Sequence, residues 1–468
     1  MIHKQRSIWT VRRQRRLADL CWRAFLPCLA AGLPAGAQQA VTTQPPAEAL
    51  PQDSALTPVP LPSPYVSQPY TSAGSQRLPP LPPTPNLGTE ALPAAGQIEL
   101  PRMGVLAPAP AAAAAPRREL LQWGNVSFHP HVSYNLLYGT GILSGPDREE
   151  NTLQQTVSPG LTFQLGPHWT LDYTASLKFY SNEAYEDTVD HHVNLSGWAT
   201  WNRWRFTAGY AYGSTSSPLI ETAAQTEQDT HNARLGADYA FSDRTTLELS
   251  AAQVLRFTTA YTDSCTWSTT DWINYQWQPR LAVAVGAGFA YDQLDPGTDM
   301  TSQRVLGRVR GEVARKLSYT LEGGVEIRQF LDTDASSKLS PTVQGAIDYQ
   351  LAEDTTVSLF GSHDIGTSYF SDQFTETSSV GASVRQRLLR HLSLGVSGGY
   401  SFTSYSSTLA TDTVEREDDR AYVEVSLSTV LRKRIQVSAF YRYTDNSSDN
   451  AGYTSGGNQV GLMLSYAL

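Results

Sequence analysis

From Trp123 to the C-terminus the chain alternates, residue by residue, between two kinds of side chain. The clearest run is Leu281-Ala282-Val283-Ala284-Val285-Gly286-Ala287-Gly288-Phe289-Ala290-Tyr291, with its large residues at odd positions and Ala or Gly at even ones. Trp169, Leu171, Tyr173, Ala175, Leu177 and Phe179 stand in the same way against Thr170, Asp172, Thr174, Ser176 and Lys178, and Leu392 to Phe402 repeat the pattern against Ser and Gly. Period two puts one class of side chain on each face of an extended strand. The alternating segments run about 10 to 15 residues, against 5 or 6 for a strand of a soluble protein. A tilted strand crossing a bilayer needs about 9 to 11. The pattern therefore predicts transmembrane strands, apolar outside and polar or small inside.

The breaks between segments fall into two classes. Short turns recur at Gly166-Pro167-His168, Asn202-Arg203, Ser242-Asp243-Arg244, Gln278-Pro279-Arg280, Ala314-Arg315-Lys316, Ala352-Glu353-Asp354, Leu389-Arg390-His391 and Arg432-Lys433-Arg434. Between them lie mostly longer polar connections, among them 139–150, 213–228, 292–300, 404–418 and 444–456. Such alternation is what a barrel with short periplasmic turns and outer loops produces. Counting through it predicts an all-β fold over 121–468, a transmembrane antiparallel up-and-down β-barrel of about 18 strands, with the count least defined around 252–268. Aromatics reinforce this. Trp169, Trp201, Trp204, Tyr239, Phe241, Trp277 and Tyr349 sit by the short turns, and Tyr212, Tyr291, Phe330, Tyr369, Phe370, Tyr400, Phe402, Tyr441 and Tyr443 sit by the loops. Two belts one strand apart fit two membrane interfaces.

The N-terminal third differs in texture. Residues 1–37 carry a basic stretch (Lys4, Arg6, Arg12, Arg13, Arg15, Arg16), a modest apolar stretch from Ala24 to Leu33, and Ala35-Gly36-Ala37. That order predicts a signal peptide. Its removal takes away seven basic residues and one acid, so the net charge moves from −9 to about −15, which argues against nucleic acid as a partner. Residues 38–120 hold about 18 of the 28 prolines and the run Ala111–Ala115, a composition expected for a disordered periplasmic linker. Past the signal, Cys265 is the remaining cysteine, and a single cysteine in the remaining sequence fits no metal or redox motif.

The last segment alternates Val460, Leu462, Leu464, Tyr466 and Leu468 to the final residue. It resembles the C-terminal signal of bacterial outer-membrane barrels, with Tyr466 third from the end, and departs from it in Leu468, where that superfamily usually has phenylalanine. The likeness to this porin-like superfamily covers about 350 residues and is one of pattern. It implies residence in the outer membrane, with the barrel-assembly machinery, outer-membrane lipid and lipopolysaccharide as partners. Gly307, Gly311, Gly323, Gly345 and Gly398, on the apolar face, would let barrels approach closely in a homo-oligomer, although easing of strand bending is the commoner reason for isolated glycines.

If the apolar set faces lipid, Arg304, Arg308, Arg310 and Glu312 share the inner face of one strand, and Glu322, Glu326 and Arg328 that of the next. Pairing Val313 with Leu317 across the turn sets Arg308 opposite Glu322 and Arg304 opposite Glu326. Asp348, Asp364, Arg385 and Arg387 are further pore-lining candidates, as are Asp172, Lys178, Arg205, Arg234, Asp238, Glu248 and Glu424. So many inward charges demand a hydrated lumen. The first expectation is a passive, charge-lined pore for small polar solutes, and the outer loops look too short for an inward-folded constriction. An export conduit for a secreted polysaccharide and a structural or adhesive barrel are the rivals. No catalytic residues, metal site or cofactor are expected: the acidic loops lack calcium-loop spacing, and no nucleotide-binding glycine loop, zinc spacing or Ser/His/acid order is present.

Overall fold

The computed structural model describes residues 122–142, 151–331, 333–389, 391–409, 416–431 and 434–467. The expected signal peptide (1–37) and the Pro-rich segment to residue 120 lie outside them. Apart from a two-residue ladder at Gln122–Trp123 and one short 3₁₀ turn at Ala451–Tyr453, the regular structure is eighteen long strands.

These are β1 (Val126–Gly139), β2 (Thr152–Leu165), β3 (Trp169–Tyr180), β4 (Thr188–Trp201), β5 (Trp204–Leu219) and β6 (Ala224–Ala240). Next come β7 (Thr245–Thr258), β8 (Asp263–Gln278), β9 (Leu281–Asp295), β10 (Met300–Val313), β11 (Leu317–Phe330) and β12 (Lys338–Ala352). The last are β13 (Thr355–Thr367), β14 (Gln373–Leu389), β15 (Leu392–Ser407), β16 (Arg416–Leu431), β17 (Ile435–Ser448) and β18 (Ser455–Ala467). Each pairs antiparallel with its sequence neighbour, and β18 closes on β1 from Gln459↔Gly139 to Ala467↔His131. Closure leaves no free edge, so every strand has a partner on both sides, as hydrocarbon requires.

The turns at one end are tight for local reasons. Ala314 and Arg315 both take positive φ, and Lys316 N–H donates to the Val313 carbonyl at 3.2 Å, a tight β-turn within the three-residue link 314–316 that pairs Val313 with Leu317. Asn202 supplies the left-handed residue between Trp201 and Trp204. At the other end the polar segments 213–228, 292–300 and 444–456 are mostly strand. β5 runs on to Leu219 and β6 begins at Ala224, so the loop between them is only 220–223. Polar residues continue the ladder there because both sheet faces have left the hydrocarbon.

The outer face is apolar, with Val285 at 68% exposure and Val305, Leu321, Val343, Leu359 and Val380 likewise exposed. Its loop-side limit is drawn by tyrosines. Tyr134, Tyr173, Tyr210, Tyr212, Tyr400 and Tyr441, all on odd-numbered strands, direct their hydroxyls to Gln155, His191, His231, Asp229, Asp419 and Asn458. In each case the partner lies two residues nearer the loops than the tyrosine's own register mate on the next strand. The rings stay in the apolar zone and the hydroxyls reach the polar one. On β9 the band from Leu281 to Tyr291 covers eleven residues, about 25 Å along the membrane normal at a tilt of about 40°. Where the β7–β8 ladder is interrupted, Asp271 on the outer face accepts from Ser250 N–H at 3.4 Å.

Candidate functional site: the lumen wall and its mouth

The inner face of β9 is Ala282, Ala284, Gly286, Gly288 and Ala290, which leaves a trough in the wall. Neighbours fill it. Trp272 of β8 lies over Gly286, where an added Cβ would stand 2.6 Å from the indole, and packs with Ala284 and Leu306. The Arg308 guanidinium of β10 stacks on that indole at 3.7 Å. From there it donates through Nε to Glu322 of β11 and through Nη1 to Glu248 of β7, both at 3.1 Å. A cation is thus held between two carboxylates from strands on either side of the trough. The bare strand is what lets Glu248 and Arg308, three strands apart, meet.

The sequence-derived register holds: Arg308 pairs with Glu322 and Arg304 with Glu326. Arg304 Nε donates to Glu326 at 2.6 Å, and Glu326 also takes Arg328 Nε at 2.9 Å. Arg310 and Glu312 follow on the same face toward the turn, opposite Thr320 and Ser318. The remaining candidates sit apart from this cluster. Asp348 accepts from Ser358 on β13. Arg385 and Arg387 lie at the turn-side rim, with Arg387 3.5 Å from Asp354, both largely exposed. Asp364 lies near the loop end of β13. Asp348, Asp364 and Gln344 are solvent-accessible although they belong to the inner face. Arg442 pairs with Glu424, and Lys178 with Asp190. Trp272 escaped the sequence reading; the available signal was a large aromatic on a face otherwise polar, facing a glycine across the ladder.

The mouth overturns one expectation. The loops are short, yet an inward constriction forms. The β13–β14 hairpin leans into the barrel, so its outward-parity residues Ile365 and Phe374 pack against Leu294, Met300 and Phe330, inner-face residues of β9, β10 and β11. Glu376, of the same parity, meets Lys338, Ser340 and His363. The tip, 368–372, reaches the β5–β6 loop, eight strands away in a ring of eighteen and so nearly opposite. Ser368 Oγ (2.5 Å) and Tyr369 N–H (2.7 Å) donate to Glu221 Oε1, and Tyr369 OH donates to Gln228. Arg256 Nη2 donates to the Ser368 carbonyl at 2.8 Å while its guanidinium lies 3.9 Å from the Tyr369 ring. Arg416 Nη1 donates to the Glu221 carbonyl at 3.0 Å. Glu221 is 1% exposed, and Tyr369 and Arg256 are 0% exposed. Full burial pushes the Glu221 carboxyl above the usual carboxylate range, because neither arginine pairs with it directly. Tyr369 and Phe330, expected in the outer belt, are therefore inside.

A closed antiparallel barrel with an apolar exterior, tyrosine belt and charged interior defines a transmembrane β-barrel of the outer-membrane type. The model of the Gram-negative porin family matches residues 123–258, which take in β1 to β7. No curated protein matches the sequence. Among solved structures, OpdK of Pseudomonas aeruginosa is 11% identical with a TM-score of 0.41, covering 73% of this chain and 98% of its own. OccAB3 of Acinetobacter baumannii (11%, 0.42) and OccK2 (OpdF) of P. aeruginosa (10%, 0.43) each cover 73% of this chain, and 99% and 97% of their own.

Proposed function

We propose that the protein is a passive outer-membrane channel for small polar solutes, with Arg304, Arg308, Arg310, Glu312, Glu322, Asp348, Asp364, Arg385 and Arg387 along its path, while Glu326 and Arg328, both 2% exposed, are packed within its wall. One observation carries this reading: inner-face Gln344, Asp348 and Asp364 remain solvent-accessible within the barrel. A structural or adhesive barrel with a packed interior would bury them. Acidic and basic groups alternate across neighbouring strands, which favours zwitterionic or neutral polar solutes over strongly charged ones. Surrounding lipopolysaccharide is the membrane partner, the tyrosine belt lying at its boundary, and the chain carries out no catalysis in this reading. The test is conductance of the purified barrel in planar bilayers together with sugar uptake into proteoliposomes. Conductance steps and swelling are the expected results. A heat-modifiable, folded barrel that gives neither refutes the channel.

A further inference from the structure

The β12–β13 ladder stops early. Its last pair is Val343↔His363, yet β12 stays paired with β11 up to Lys338, and β13 with β14 up to Thr367. Residues 338–342 and 364–367 therefore face an open seam. Pro341, which has no N–H to give a ladder, sits within it. In place of a strand partner, the Ile365 carbonyl accepts from Arg328 Nη2 at 3.0 Å. Beside this seam stands the hairpin that crosses the mouth, and no β12 backbone hydrogen bond holds its upper part.

We propose that the β13–β14 hairpin is a movable gate, closed in this structure, that swings outward along the β12–β13 seam to open the loop-side mouth. The proposal rests on the channel reading and adds its control. Three sets of contacts hold the gate. At the tip, Glu221 receives Ser368 and Tyr369. On the inner wall, Ile365 and Phe374 lie against Leu294 and Met300. At the seam, Lys338 and Ser340 meet Glu376. The first also includes Arg256 on the Ser368 carbonyl, Thr262 N–H on the Tyr369 carbonyl and Thr298 on Asp372, so a substitution at Glu221 removes two of its hydrogen bonds and weakens the set. The second is a modest apolar contact without interlocking backbone. Arg328, paired with Glu326 in the β10–β11 wall, touches the hairpin through the Ile365 carbonyl and would be released with it, whereas Arg308 pairs with Glu322 and Glu248.

Single-channel recording separates this proposal from the channel reading. Glu221→Ala removes the acceptor for both tip donors, and Ile365→Ser weakens the wall contact. Each is expected to raise open probability about tenfold or more, by loss of hydrogen bonds or of apolar burial. Glu221→Gln keeps an acceptor oxygen and is expected to stay closed. A third variant replaces 366–375 by a two-residue turn and so removes the tip and Phe374, the part of the hairpin that reaches across the mouth. If that variant fails to conduct although folded, the channel reading falls. If it conducts while Glu221→Ala and Ile365→Ser both gate like the parent chain, the gate is wrong and the channel stands.

Discussion

Replacing Arg308 by methionine tests whether the β7–β11 cluster lies on the ion path. The substitution keeps an apolar stem over Trp272 and removes one positive charge, leaving Glu248 and Glu322 without their shared partner. In a barrel of this strand count Arg308 stands about 10 Å from the axis. At that distance in water one unit charge changes a monovalent ion's energy by about 0.4 kcal/mol. The sign is opposite for cations and anions, so the selectivity ratio moves by about 0.8 kcal/mol, about fourfold, toward cations without screening. At 0.1 M salt the Debye length of about 10 Å cuts this to about 0.3 kcal/mol, or about 1.7-fold. The assay is the reversal potential across a salt gradient, at low and at 0.1 M mean salt. Glu322→Gln should move it the other way by a similar amount. Reversal potentials unchanged in both variants at both concentrations would show that solutes do not pass this cluster.

Three further outcomes follow from geometry. Gly286→Val drives its side chain into the Trp272 indole, 2.6 Å from the Cβ position, and should cost about 1 to 3 kcal/mol, read as a lower temperature of heat modification. Val285→Arg places a charge on the lipid face and should cost about 2 to 4 kcal/mol and lower membrane assembly, whereas Thr320→Arg on the inner face assembles normally; equal yields would contradict the inside-out assignment. Acidification should favour closure. The Glu221 carboxyl is raised in the closed state, so that state holds more protons, and closure is strongest at low pH and weakens as pH rises through the raised value. Ser368 and Tyr369 of the tip, Arg256 of β7 and Arg416 of β16 face it; these two cations oppose the shift without reversing it. Glu221→Gln should abolish the pH response, and a response that survives it assigns the effect to another group.

Strand number and the β10–β11 register were legible because both follow from local rules. Alternation fixes the face, and a tight turn at Ala314–Lys316 fixes the partner, so Arg308 and Glu322 are matched by the sequence alone. The mouth was not legible. Ile365, Phe374 and Tyr369 obey the same alternation as lipid-facing residues, and nothing in period two distinguishes a strand that stays in the wall from one that leans through it. The lean depends on Leu294 and Met300 offering apolar surface on an inner face, and on Pro341 interrupting a ladder, which are long-range facts. The loops misled for a related reason: their length was judged from polarity, and strands above the membrane are polar too.

The six diagonal tyrosines have a consequence for the membrane itself. Their hydroxyls are tied to neighbouring strands rather than left to float, so the height at which the protein meets headgroups is built into covalent spacing. Such a molecule cannot adjust its depth by side-chain rearrangement. In a bilayer thinner or thicker than its apolar band, the lipid around it must stretch or compress, at fractions of a kcal/mol per Å, and that toll selects where in the envelope it settles.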